Sequence, residues 1–285
     1  MEEDLSSLFV NNQILFLKKF SKEKYSTPFH LVEVSPWPIL ASVRALGITF
    51  GGIYWWHFNN ASILILGLLF KFLISFCWFS DVIKEKMGGF HNRVVMFGLR
   101  FGMILFILSE VLFFFSFFWA YFHNCWGPQA ELGYIWPPYG FKEIVIDPFS
   151  IPLLKTVVLL SSGARVTWAH HALVRQDYDN GLLGLFITVF LGGYFLFLQG
   201  NEYFLSEFSI NRTIYGTVFF MLTGFHGFHV TIGTILLLVC LLRHYLGHFS
   251  THQHVGFEAS AWYWHFVDVV WLFLYFFVYW YGYKI

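Results

Sequence analysis

An all-α bundle that crosses a membrane several times is the fold this sequence predicts, and three observations point to it. Of 285 residues, 57% are hydrophobic and only 12% are charged, against about 45–50% and about 25% in soluble domains. Aromatic side chains make up 23%, with 38 phenylalanines, a content that excludes a disordered chain. The apolar residues also fall in unbroken runs, whereas a membrane barrel shows alternating segments of about 10 residues. Lysine plus arginine and aspartate plus glutamate are balanced at 17 each, so no basic face for nucleic acid is expected.

A helix crossing about 30 Å of hydrocarbon needs about 20 residues. The first run of that length is Ile39–Phe58; Asn59 and Asn60 turn the chain into the second, Ala61–Phe79, giving a tight hairpin. Further runs are Leu99–Phe122, Leu153–Leu173, Gly181–Leu198, Ile214–Leu242 and Ala261–Tyr283, which makes seven spans. The fourth is the least apolar, because it carries Lys155, Arg165 and His170–His171. No repeat of fixed period is visible. The long connection between the third and fourth spans contains Trp136-Pro137-Pro138 and is expected to form an ordered cap.

Orientation follows from the lysine and arginine bias of the short connections. Lys18, Lys19, Lys22, Lys24, Lys84, Lys86, Arg93 and Arg175 share the side of the N-terminus; Lys142, Arg212 and Lys284 lie opposite. Eight against three predicts an N-terminus on the cytoplasmic or matrix side and a C-terminus outside. Tryptophans 37, 55, 56, 119, 126, 136, 262 and 280 sit near run ends, where interfacial belts form. The first 38 residues are acidic at their start and contain no arginine, so no cleaved targeting peptide is expected. Cys77, Cys125 and Cys240 show no paired spacing and are read as buried apolar side chains.

An ionisable group inside the membrane costs about 2.5–3.5 kcal/mol on insertion scales and needs a reason to be there. Glu110 is the clearest case, roughly 16 Å into the third span by helical rise. It reads either as a protonatable site or as a neutral carboxyl joining helices, with His226 or His229 as its expected partner. Arg165, roughly 12 Å deep, stays charged; an ion pair with Asp268 of the seventh span is expected, with Glu110, lipid or water as alternatives. His226 and His229, and His265 and Asp268, are each three apart, and His170–His171 are adjacent. A metal or haem site needs several convergent ligands, so packing histidines are the preferred reading and no metal site is expected. Arg243, His244, His248, His252 and His254 read as a solvated inner connection touching headgroups. The chain has no GxSxG, GxxxxGK[ST], GxGxxG or HExxH motif, and no catalytic residue is expected.

Specific strings then add to composition. The chain reads Pro28-Phe29-His30-Leu31-Val32, Ser35-Pro36-Trp37-Pro38, Ser109-Glu110-Val111-Leu112-Phe113-Phe114 and Trp168-Ala169-His170-His171. It continues with Thr223-Gly224-Phe225-His226-Gly227-Phe228-His229 and with Trp262-Tyr263-Trp264-His265-Phe266-Val267-Asp268-Val269-Val270-Trp271-Leu272-Phe273. Together these closely resemble the cytochrome c oxidase subunit III family of mitochondrial-type haem–copper oxidases, from about Pro28 to Gly282.

The resemblance implies seven helices in a 2 + 5 arrangement, with a V-shaped cleft filled by phospholipid. The corresponding divisions are an entry segment at 1–38, a hairpin at 39–79, an inner connection at 80–98 and a five-helix bundle at 99–285. It implies a non-redox core subunit of respiratory complex IV in the mitochondrial inner membrane. Such a subunit packs on subunit I, leaves haem a and copper to partner subunits, supports proton uptake and protects the oxygen-reducing centre. Glu110 takes the family's carbodiimide-reactive position, and headgroup contacts fall on Lys84, Glu85, His91, Arg243 and His248. Lys71, Arg165 and Arg44 depart from the family's neutral residues, and Leu246 replaces a frequent lysine. The competing reading is an autonomous seven-helix transporter or channel relaying protons through Glu110 and Asp268. It lacks the inverted repeats common in transporters.

Overall fold

The structure, a computed structural model, describes residues 29–128, 130, 133–138, 140 and 144–284. Residues 1–28 of the expected entry segment, with Lys18, Lys19, Lys22 and Lys24, and also Lys142, lie outside the described residues. Within them the regular structure is helical, with no strand. Seven long helices follow in order: α1 (Trp37–Phe58), α2 (Ser62–Met87), α3 (Arg93–Trp126), α4 (Ile151–Val174), α5 (Tyr178–Leu205), α6 (Ile214–Tyr245) and α7 (Val255–Phe273). α7 runs on as a π-helix over Leu274–Tyr281 and ends in a short turn at Gly282–Lys284. This is a polytopic, all-α membrane protein.

Several helices outrun the apolar segments from which they were expected. α2 continues from Phe79 to Met87, α3 begins at Arg93, and α7 begins at Val255. The added turns carry Asp81, Lys84, Lys86, Arg93 and Glu258, which suit the headgroup zone while leaving helical hydrogen bonding intact. Five helices (α2, α3, α5, α6 and α7 with its extension) are individually long and apolar enough to cross a membrane. α1 and α4 are less apolar. For α4 the reason is burial: Lys155, Thr156 and Ser162 point into protein rather than lipid.

The chain divides into two compact units, one ending at Gly98 and the other beginning at Leu99. In the first, α1 and α2 form the hairpin. Asn59 closes α1 in the left-handed conformation (φ 52°), its N–H donating to Trp55 O. The two backbones touch at Gly51, where an added Cβ would lie 2.6 Å from Leu64 N. Near its other end Trp37 Nε1 donates to Asp81 Oδ2 at 2.7 Å, and Arg44 stacks over Phe70 at 4.5 Å.

The second unit is organised around α7. Trp264 is fully buried, lies against Gly192 of α5 and Gly233 of α6, and donates to Ser162 Oγ of α4 at 2.9 Å. Two turns later Trp271 donates to Thr156 Oγ1 at 2.9 Å. Two indoles on one face of α7 thus meet two hydroxyls of α4, which satisfies both indole N–H groups away from water. The side chains of Asp177 and Thr213 cap α5 and α6, accepting from Asn180 N and Gly216 N. At one end of the unit Trp136 packs edge-on against Tyr121 and Tyr215. The Pro-rich connection therefore docks its tryptophan into the bundle.

Candidate functional site

Glu110 sits halfway along the 34-residue α3. Its Oε2 lies 2.7 Å from Nε2 of His229 on α6, with Phe113, Phe114, Tyr263 and Phe266 around the imidazole. His229 Nδ1–H donates to Phe225 O, one turn back, at 2.6 Å. That bond fixes the tautomer: without a further proton, Nε2 would present a lone pair to a carboxylate oxygen. One proton must therefore bridge the pair, carried as Glu110 O–H or as the imidazolium. His226 does not join them. Its Nε2–H donates instead to Val267 O of α7 at 3.2 Å, and its ring packs on Phe195 and Trp271.

The expected Arg165–Asp268 pair does not form. Asp268 is buried in α7 with His265 Nδ1 at 3.8 Å from its Oδ2. It faces Gly163 of α4, where an added Cβ would collide with Oδ2. The reason is angular. Arg165 is two residues beyond Gly163, about 200° around the helix, so it emerges on the opposite face. There it is exposed and its guanidinium stacks over Trp168 at 5.5 Å. Matching depth along two helices fixes height and leaves azimuth free.

The buried cation of α4 is Lys155. Its Nζ lies 2.7 Å from Glu202 Oε2 of α5 and donates to Gln199 Oε1 at 2.9 Å; Tyr279 donates to Glu202 Oε1 at 2.6 Å. Both charged side chains are almost wholly buried, and Trp271 lies 4.9 Å from the ammonium. Sequence reasoning noted Lys155 but missed Glu202, having ended the fifth span at Leu198. The available signal was a lone anion in the last turn of an apolar helix whose one other acid, Asp179, lies in the first turn.

The other end of the unit holds a second charged cluster. Arg100 of α3 donates to Glu258 of α7 through Nε (2.6 Å to Oε2) and Nη2 (3.0 Å to Oε1). His254 Nε2 lies 3.3 Å from Glu258 Oε1 and 3.2 Å from His170 Nε2. Arg243, expected at a headgroup, stacks over Phe249 at 4.6 Å, and His248 N donates to Arg243 O. The other expected headgroup residues belong to the first unit. Lys84 pairs with Asp81 at 2.9 Å, and Glu85 Oε2 lies 3.3 Å from His30 Nε2. Burial in the connection after α2 pushes the His91 imidazole below its ordinary value. At neutral pH it is then uncharged.

Comparison with known proteins decides the family. The cytochrome c oxidase subunit III family model matches residues 27–283. Cytochrome c oxidase subunit 3 of Drosophila melanogaster is 54% identical over 256 residues, 90% of this chain and 97% of the fly protein. The Arabidopsis thaliana protein of the same name is 52% identical over 257 residues, covering 89% and 96%. That of Pisaster ochraceus is 54% identical over 256 residues, covering 90% and 98%. The chain belongs to the cytochrome c oxidase subunit III family. In this member of the subunit III family, Glu110 and His229 make a carboxyl–imidazole contact on the α3–α6 seam. Lys155–Glu202 joins α4 to α5 at one end of the unit, and Arg100–Glu258 joins α3 to α7 at the other.

Proposed function

We propose that the chain is a non-redox core subunit of cytochrome c oxidase, respiratory complex IV, in the mitochondrial inner membrane. The observation that carries the reading is collinear identity above 50% along nearly the whole length of proteins named as that subunit. In this reading it packs on subunit I, while haem a and copper in partner subunits reduce oxygen. The N-terminus faces the matrix and the C-terminus the intermembrane space, as the lysine and arginine bias favours. Phospholipid headgroups meet Lys84, Glu85 and His91 on the first unit and Arg243 and His248 on the second.

The chain's own chemistry centres on Glu110 and His229. A carboxyl–imidazole pair sharing one proton is a short relay. Glu110 is partly accessible along α3 while His229 is held by Phe225 O, so the proton can change owner without rotation of the ring. That suits support of proton uptake and needs no electron to pass through the chain. Native purification through this chain tests the subunit reading: co-migrating haem a and copper support it, and migration without them ends it. Within the complex, Glu110→Gln is expected to leave haem reduction by cytochrome c intact while altering proton uptake. Loss of haem reduction would show that the role assigned to Glu110 is wrong.

A further inference from the structure

We propose that His170, His254 and Glu258 form a binding site for a zinc-class divalent cation at the end of the bundle where α4 finishes and α7 begins. The ligand atoms, two imidazole nitrogens and one carboxylate oxygen, all lie within 4.8 Å of one another. Zinc bonds of about 2.0–2.2 Å in a tetrahedron set ligand atoms about 3.4 Å apart. Two of the three edges already have nearly that length, 3.2 Å from His170 to His254 and 3.3 Å from His254 to Glu258. The third, from His170 to Glu258, closes by a small rotation of the half-buried His170 ring.

The orientation of His254 points the same way. Its Nδ1–H donates to Ser250 O at 3.0 Å, which leaves the Nε2 lone pair aimed at the cluster. A backbone carbonyl fixing the far nitrogen is the usual support of a metal-bound histidine. Nε2 therefore faces a carboxylate oxygen, and only a cation or a donated hydrogen makes that approach favourable. Without metal the His170 N–H fills that role. With metal the lone pairs of both rings and Glu258 Oε1 converge on one ion. Arg100 does not compete for every lone pair, since its shorter bond goes to Oε2 and a metal at Oε1 displaces only the 3.0 Å contact from Nη2.

The donor set selects the ion. Two imidazoles and a carboxylate suit zinc and its neighbours rather than magnesium or calcium, which take oxygen ligands. Zinc has no redox chemistry, so the site leaves the non-redox character of the chain intact. With three protein ligands and a partly accessible face, the fourth position is open to water. Binding would fasten the end of α4 to the start of α7. Spacing within single spans hid the site, because the ligands come from α4, the residue preceding α7 and the first turn of α7.

The native assembly purified through this chain, whatever its other members, is stripped with EDTA, incubated with zinc sulfate, desalted and analysed for zinc. The wild-type assembly is expected to retain one more zinc than the same assembly carrying His170→Gln. Equal retention overturns the proposal. A second measurement needs no substitution: diethyl pyrocarbonate modification of His170, read by mass spectrometry, should fall several-fold with zinc, while His265, outside the cluster, is modified equally. If the variant fails to assemble, this protection decides, and equal modification of His170 with and without zinc overturns the site. Haem content of the assembly reports separately on the subunit reading.

Discussion

The two ends of the five-helix unit each hold a carboxylate clasped by a cation, and they are built differently. Glu202 and Lys155 are closed off by Gln199, Tyr279, Phe195 and Trp271, with exposures of 3% and 0% for the two charged side chains. Glu258 and Arg100 have exposures of 13% and 36%, with histidines in place of aromatic walls. A sealed pair can only hold helices together, since nothing reaches it and neither charge can leave. An open pair flanked by imidazoles can exchange partners with protons, ions or headgroups. Structure belongs to the closed end and chemistry to the open one.

The sharpest way to break this contrast is to remove one charge from the sealed end. Glu202→Gln leaves the Lys155 ammonium buried without its anion. Breaking a buried pair in this way costs about 3–5 kcal/mol, whereas replacing both partners by neutral residues of similar volume is often close to neutral. Glu202→Gln is expected to lower the thermal midpoint of the purified assembly strongly, and Lys155→Met with Glu202→Gln to restore most of it. A double variant as unstable as the single one would mean that the attraction within the pair, beyond the need to neutralise a buried charge, carries the stability of that end.

A second variant separates packing from charge. Gly163→Ala places a methyl against the Asp268 carboxylate midway along the α4–α7 seam, and overpacking of this kind costs about 1–3 kcal/mol. The same substitution at Gly193, whose Cβ would meet nothing within 4 Å, is the control and should be silent. Equal thermal midpoints for the two variants would show that the seam is looser than the contact implies.

These contrasts also mark what the sequence could tell. Apolar runs, Asn59 at the hairpin turn and the charge-free fifth and sixth spans revealed seven helices, because hydrocarbon imposes a length on every crossing. Helix ends were underestimated, since Glu258 and Lys84 continue a helix without continuing an apolar run. The partners of buried charges were legible only in part. Glu110 with a histidine of the sixth span was anticipated without deciding between His226 and His229. Arg165 with Asp268 failed, because hydropathy reports depth and says nothing of rotation about the helix axis. The His170–His254–Glu258 cluster stayed hidden for a related reason: His170 lies 84 residues before His254 and meets it and Glu258 only through the packing of α4 on α7.

At the open end the expected losses are smaller. Arg100 is about one-third exposed, so solvent screens much of its bond to Glu258 even though the contact is bidentate. Arg100→Ala is expected to cost about 1 kcal/mol, read as a modest fall in thermal midpoint. A loss matching that of Glu202→Gln would erase the distinction between the two ends.

Ionic strength gives the smallest effect and the most direct measure of openness. Salt screens solvent-exposed charges beyond about 10 Å at 0.1 M and about 3 Å at 1 M, while buried pairs feel it far less. Between those concentrations the contribution of Arg100–Glu258 should shrink, and that of Lys155–Glu202 should stay as it was. Salt also acts on the rest of the surface, so the comparison must be made between variants rather than on the wild type alone. The gap in thermal midpoint between wild type and Arg100→Ala should narrow as salt rises. The gap between wild type and Glu202→Gln should remain constant over the same range. If both gaps narrow together, water and ions reach Lys155 as readily as Arg100, and the aromatic wall of Phe195, Trp271 and Tyr279 does not seal the site. If neither narrows, the cluster around His254 is closed as well, and exchange of ions at that end loses its physical basis.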